Sequence, residues 1–291
     1  MLHQLDAGDL LSEDGQIEWR GLLLGAGTPY RLRSLQGWSD LPEVRDSDVE
    51  LATGHGYQPG RLLLGRRTIT FEFLLSGSLG EFRRSVAELQ RVTAPRENDT
   101  EEPLVIRMDG ETMMVRARCI GRSLPTEKQY ALGRVTGTIR WRATNPRKLH
   151  IPAQTHKTSA PRPGTGGLLW PLEWPLVWGS AQSGGEIVAY NEGNADAQPV
   201  WRITGPCLGP VIQNADTGRS LVIDSEYLIP AGQRLTLTTA DRTVLLDGGV
   251  SRNNRLVKRG WFTLPPGMTR VRFDSEDKQG RLELLYYSTS L

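Results

Sequence analysis

Cysteine is nearly missing from this chain: Cys119 and Cys207 are the only two in 291 residues. They are too few and too far apart for a disulfide framework or a zinc site, and both are expected as buried free thiols. Histidine is almost as scarce. His3, His55, His150 and His156 stand far from one another, and no HExxH pattern pairs any two of them as metal ligands. No run approaches the roughly 18 apolar residues of a membrane helix. The opening residues Met1-Leu2-His3-Gln4-Leu5-Asp6 lack the basic-then-apolar pattern of a secretory signal. Neither membrane insertion nor a signal peptide is therefore expected. An excess of one charge is lacking too, since 35 Lys+Arg face 33 Asp+Glu, a formal net charge of +2. The arginines lie scattered among carboxylates and form no basic stripe with interleaved aromatics, so no specific nucleic-acid binding is expected.

Catalytic signatures are equally thin. No GxSxG elbow and no Walker-type loop occurs. Gly25-Ala26-Gly27 lacks the following helix that a phosphate site needs. Asp224-Ser225-Glu226 and Ser275-Glu276-Asp277 bring carboxylates together, but in turn-rich stretches that read as solvated loops. The reading is that of a protein which is not an enzyme and needs neither metal nor cofactor.

What is plentiful is Gly (32) and Pro (18), which suits many short strands joined by turns. The length allows two domains, each with its own core. In the first half, Thr68-Ile69-Thr70-Phe71-Glu72-Phe73-Leu74-Leu75 alternates strictly, with Ile69, Phe71, Phe73 and Leu75 on one side, and predicts a half-buried strand. Ser78 and Glu81 then make an S-x-x-E capping box. Leu79, Phe82, Val86, Leu89 and Val92 follow at helical spacing, predicting one helix near 78–94 that Pro95 ends. Asp109-Gly110 between two apolar runs predicts a two-residue hairpin turn. After Gly185 turn signals recur evenly and helical patterning disappears. The fold class is mainly β: an N-terminal β-rich domain with one α-helix (1–150), a Pro/Gly/Trp linker strap (151–184), and a C-terminal β-sandwich of jelly-roll type (185–291).

Three stretches stand out as candidate contact sites. Within the strap, Trp170, Trp174 and Trp178 recur every fourth residue, but Pro171 and Pro175 oppose a helix. The run is expected to be extended, with its rings lying on a module or on a neighbouring subunit, since each can bury roughly 150–250 Å². The second stretch is the Gly54–Gly60 loop, carrying Gly54, His55, Tyr57 and Pro59. It lies in a long excursion that reads either as an inter-subunit arm or as a disordered loop. Leu62, Leu63 and Leu64 follow it and are expected to bury. Third, Asn253, Asn254 and Arg255 precede Trp261, polar groups beside an aromatic face that could grip a glycan. The bland alternative there is a solvated loop followed by a core-facing Trp.

Several motifs, in order, give the chain a resemblance. They are Leu41-Pro42-Glu43-Val44-Arg45, the run from Gly60 through Leu62-Leu63-Leu64-Gly65-Arg66 to Phe71, and Trp141-Arg142-Ala143-Thr144-Asn145-Pro146-Arg147. The Trp-Pro-Leu strap, Pro199 to Pro206, Asp247-Gly248 and Leu264-Pro265-Pro266-Gly267 complete the set. Together they resemble the phage distal tail protein family (Dit), in the version found in actinobacterial siphophages and prophages. The resemblance implies a virion structural protein at the distal end of the tail, made in the host cytoplasm. It implies a homo-hexameric ring built by the N-terminal domain, and a galectin-like C-terminal β-sandwich. The implied partners are the tail tube protein, the tail-tip hub or tail-associated protein and the tape measure protein. A host glycan is a further partner to test, and a carbohydrate-binding module on an anchoring domain is the alternative function.

Overall fold

The computed structural model describes residues 7–97, 100–161 and 184–291. The strap, with Trp170, Pro171, Trp174, Pro175 and Trp178, lies outside the described residues. The chain divides into two compact units, the first ending at Ile151 and the second starting at Pro152.

The first unit runs β1 (Gln16–Trp19), β2 (Leu22–Gly25), β3 (Tyr30–Gln36), β4 (Val44–Arg45), β5 (Val49–Glu50), β6 (Tyr57–Gln58), β7 (Leu63–Leu64), β8 (Arg67–Ser76), α1 (Leu79–Val92), β9 (Glu102–Met108), β10 (Glu111–Ser123), α2 (Lys128–Ala131), β11 (Arg134–Ala143) and β12 (Lys148–His150). The main sheet has the order β2-β1-β9-β10-β11-β8-β3, with β12 beside β10. The long strand β10 belongs to both halves of this sheet. Its first part, Glu111–Ala117, pairs with β9. After Arg118, where the register slips between Cys119 and Gly121, it pairs with β11. Such a bulge bends a strand and here turns one ladder into the next.

Burial follows the alternation expected of β8. Ile69, Phe71, Phe73 and Leu75 are all buried, and the residues between them face out. Against this inner face lies α1, whose capping box forms as the sequence predicts: the Ser78 hydroxyl accepts from Glu81 N–H and the Glu81 carboxylate accepts from Ser78 N–H. The Ser78 hydroxyl also donates to that carboxylate at 2.6 Å, and this bond first, then the one from Ser78 N–H, holds the Glu81 carboxyl below the usual carboxylate range. Phe82, Val86, Leu89 and Val92 face the sheet. Two buried aromatics tie the helix to it: the Trp19 indole N–H donates to Val92 carbonyl at 3.0 Å, and the Tyr30 hydroxyl to Ser85 carbonyl at 2.8 Å. At the turn after β9, Asp109 and Gly110 both have positive φ, 55° and 79°, the conformation that this dipeptide favours in a two-residue hairpin. The short helix α2 has no apolar stripe of its own, and the sequence reading missed it.

The second unit is a β-sandwich. Its strands are β13 (Gln154–Ser159), β14 (Glu186–Asn191), β15 (Val200–Thr204), β16 (Cys207–Leu208), β17 (Val211–Asn214), β18 (Ser220–Ile223), β19 (Leu228–Ile229), β20 (Arg234–Thr238), β21 (Thr243–Leu246), β22 (Val250–Ser251), β23 (Leu256–Arg259), β24 (Gly267–Asp274) and β25 (Arg281–Tyr286). One sheet has the order β13-β25-β15-β20-β21-β22, and the other β14-β24-β17-β18-β23. Alternate residues of both sheets meet in one core that includes Trp201, Leu235, Leu284, Ile212, Phe273 and Val271. The one helical turn among its described residues is the 3₁₀ turn Asn253–Arg255. One linker boundary needs correction. Gln154–Ser159, read as linker from composition, form an edge strand of this sandwich, paired along β25 from Tyr286 to Arg281. The strand carries no apolar residue, because half of its residues face solvent and the rest are only half buried.

Both cysteines are free; Cys207 is buried and Cys119 half-buried. Burial, with the charge of Asp277 adding to it, pushes the Cys207 thiol up to about 12 from an ordinary 9.0. Burial, with Glu88 nearby, pushes the Tyr30 phenol up to about 12 from 10.0. Both groups ionise earlier in the unfolded chain than in the folded one. Above pH 9 the unfolded state therefore sheds protons first, and stability falls as pH rises. Burial pushes the Lys148 amine down, which acts in the opposite sense over part of that range. The expected result is a urea midpoint that drops on titration from pH 9 upward, with the native thiols inert to iodoacetamide below that pH.

Candidate functional site

Residues 43–63 project as an arm between β3 and β8, and every one of them is exposed. The sequence left open an interaction arm or a disordered loop; the structure shows a two-rung ladder. At its base Val44 and Arg45 pair with Leu64 and Leu63, and Gly65 N–H donates to Glu43 carbonyl at 2.7 Å. Nearer the tip Val49 and Glu50 pair with Gln58 and Tyr57. Side chains bridge the gap between the rungs. The Ser47 hydroxyl donates to Arg61 carbonyl and accepts from Arg61 N–H, both at 3.1 Å. Asp48 accepts from Gly60 N–H at 2.7 Å. Gly60 is required there, since a Cβ would collide with the Ser47 carbonyl. Of the proposed loop residues, Gly54 and His55 sit in the turn at the tip, Tyr57 is on β6 and Pro59 follows it; all four are exposed.

The arm carries the wrong residues for a solvated loop. Val49, Tyr57 and Leu62 are each more than 60% exposed, Val44, Leu51 and Leu63 also face out, and so does Leu41 just before the arm. Leu62 and Leu63 were expected to bury; among the described residues they do not, because no core element there packs over β7. A lone two-stranded ribbon is marginal in water, and a run of exposed apolar side chains marks a contact surface.

Its root, by contrast, is tightly held. Arg67 begins β8, is 1% exposed, and has no carboxylate bonded to it. Its guanidinium instead donates to four carbonyls: Pro146 through Nε at 2.9 Å, and Gly37, Trp38 and Asp40 through Nη1 at 2.6, 2.9 and 2.8 Å. Lys148 joins them, donating to Trp38 carbonyl at 3.3 Å with its ammonium 5.5 Å from the Trp38 ring. Burial lowers the basicity of both cations, and for Lys148 the neighbouring Arg67 lowers it further. Gly37 turns at φ +81°, where a Cβ would strike the Thr68 carbonyl. The arm therefore leaves the first unit from a rigid pivot. Nothing in the sequence distinguishes Arg67 from its exposed neighbour Arg66.

The glycan candidates are only partly brought together. Asn253 and Trp261 line one cavity, with Arg242, Leu256 and Arg259. Asn254 does not line it. Arg255 turns away, pairing with Asp224 at 3.1 Å and lying 5.5 Å over the Tyr227 ring. Trp261 is half-buried against the sandwich core, between the two sequence alternatives. Of the acidic triplets, Asp224 also caps its own turn through Glu226 N–H, and Ser275 bonds Gln279 carbonyl. Among the described residues no three His, Cys, Asp or Glu side chains gather as a metal site, and no helix is long and apolar enough to cross a membrane.

Residues 192–288 match the family described as siphovirus-type tail component, C-terminal domain. The structure resembles the Dit protein of SPP1, described as a paradigm of the hub adsorption apparatus in phages infecting Gram-positive hosts. The TM-score is 0.64 at 14% identity, over 95% of this chain and 99% of that one. A chain of the phage P2 baseplate in its activated conformation with Ca aligns with a TM-score of 0.49 at 12% identity, over 90% of this chain and 91% of that one. No curated protein sequence matches.

Proposed function

We propose that this β-rich chain is a phage distal tail protein of the Dit family, a structural component of the virion, and that it closes into a hexameric ring at the distal end of the tail tube. There it acts as an adaptor between the tube above and the tail-tip hub below, with the tape measure protein as a further neighbour. The match of residues 192–288 to the siphovirus-type tail component domain and the likeness of fold to the Dit protein of SPP1 support the reading. The observation that carries the ring is the arm. Six apolar side chains from Val44 to Leu63 stand in water on a ribbon too thin to be stable alone, and its root is clamped by Arg67. A second copy of the chain is the natural cover, since an arm reaching from each subunit to the next makes a head-to-tail contact that closes a ring. No chemistry is asked of this protein: its surfaces meet other proteins, and its role is to hold geometry.

The test is assembly. Purified chain mixed with its own tube protein should give rings by negative-stain electron microscopy, with a mass by light scattering near six subunits. Antibody against the chain should label the far end of intact tails. A monomer that persists with the tube protein present, or label elsewhere on the particle, overturns the proposal.

A further inference from the structure

The cavity that gathers Asn253 and Trp261 in the second unit has a chemistry of its own. It encloses about 250 Å³ and is lined by Arg242, Asn253, Leu256, Arg259 and Trp261. That is below the roughly 300–1,000 Å³ of sites for drug-sized ligands and suits one ring-sized group. Its walls are fixed by hydrogen bonds. The Asn253 side-chain oxygen accepts from Val244 N–H at 2.6 Å, and Arg252 N–H donates to Val244 carbonyl at 2.8 Å, so the 3₁₀ turn is bound to β21. Arg259 donates to Leu256 carbonyl at 3.4 Å and to Asn253 carbonyl at 3.3 Å. Arg242 has no hydrogen-bond or ion-pair partner among the described residues.

The decisive feature is the sign of the polar groups. With its oxygen taken by Val244, Asn253 offers only its NH₂. Arg242 and Arg259 are donors that carry full positive charge. No carboxylate lines the cavity. A neutral sugar presents hydroxyls that both donate and accept, and here its donors would find no acceptor side chain. A ligand that fits supplies acceptors, best of all anionic ones that draw charge-assisted bonds from guanidinium, and a flat apolar face to lie on the indole. We propose that this cavity binds an acidic sugar residue, a pyranose bearing a carboxylate or a phosphate, with the ring face on Trp261 and the anion on Arg242 and Arg259. The site narrows the glycan reading that the sequence allowed and does not depend on ring formation.

The experiment uses the full chain and isothermal titration with four probes: a glucuronate oligosaccharide, glucose 6-phosphate, a neutral gluco-oligosaccharide and inorganic phosphate. Binding of either acidic sugar, with the neutral one and free phosphate much weaker, supports the proposal; the first two probes tell carboxylate from phosphate. Arg259→Gln should weaken that binding by roughly tenfold or more, as expected when one hydrogen bond to a charged group is lost. Trp261→Phe should keep part of it, and Trp261→Leu should lose it, with folding checked by circular dichroism. Equal binding of the neutral sugar, free phosphate as tight as glucose 6-phosphate, an Arg259→Gln variant that binds unchanged, or no binding of either acidic sugar each overturns the site. Ring formation is read separately by microscopy, so failure here leaves the adaptor reading standing.

Discussion

Aspartate placed together at Val49, Tyr57 and Leu62 is expected to leave the chain folded and to abolish its self-assembly. The three side chains are 63%, 63% and 70% exposed, so in the isolated chain each change should move stability by no more than about 0.5 kcal/mol. In a ring they would be covered by the next subunit. Each apolar side chain so covered contributes about 1.5–3 kcal/mol, and each new carboxylate would have to be desolvated without a partner. Losing three such contacts lowers subunit affinity by on the order of a thousandfold or more. Light scattering with the tube protein present reads the loss, and a thermal melt of the variant alone reads the fold. Rings that survive the triple substitution would mean that the arm is not the ring contact. A collapsed melting temperature would instead mean that the arm packs on its own chain.

Arg67→Met should be the most damaging single change in the first unit. Met replaces the apolar stem, but the carbonyls of Gly37, Trp38, Asp40 and Pro146 lose their common donor inside the protein. Each buried carbonyl left without its donor costs about 1–3 kcal/mol, and with four of them the loss outweighs the relief of no longer burying a cation. Arg67→Lys should rescue little, because one ammonium cannot span carbonyls that a planar fork reaches in two directions. Urea denaturation should show the first unit unfolding earlier while the second keeps its midpoint. The same variant should also assemble poorly, since the pivot that aims the arm is gone. An unchanged first transition would show that the desolvation of Arg67 cancels all four bonds.

Much of the fold was readable because its causes are local. The alternation of Thr68–Leu75 has the period of a strand, Ser78 and Glu81 meet across one helical turn, and Asp109-Gly110 accept positive φ. The even turn spacing after Gly185 likewise announced the sandwich. The misses share a different cause. The arm is made of two-residue ladders, too short to show any period, so it read as a loop. Gln154–Ser159 is a strand only because β25 offers it an edge, and its own residues are polar throughout. Arg67 and Arg66 are the same letter, yet one is buried among carbonyls and the other is exposed.

The contact surfaces divide along the same line. The resemblance to phage tail proteins was legible in the order of its motifs, one stretch of which, residues 192–288, matches the tail-component domain, and the β-rich class was legible in its turns. Neither needed coordinates, because each motif and each turn signal is a run of neighbouring residues and their order is the order of the chain. Which leucines would stay in water, which arginine would anchor the arm, and which donors would meet around Trp261 could not be read that way. Arg242 and Arg259 are separated by β21, β22, the 3₁₀ turn and the rest of β23, and Arg67 reaches carbonyls on both sides of it in sequence. Burial and hydrogen-bond partnership depend on distance in space, and only the folded chain sets that distance.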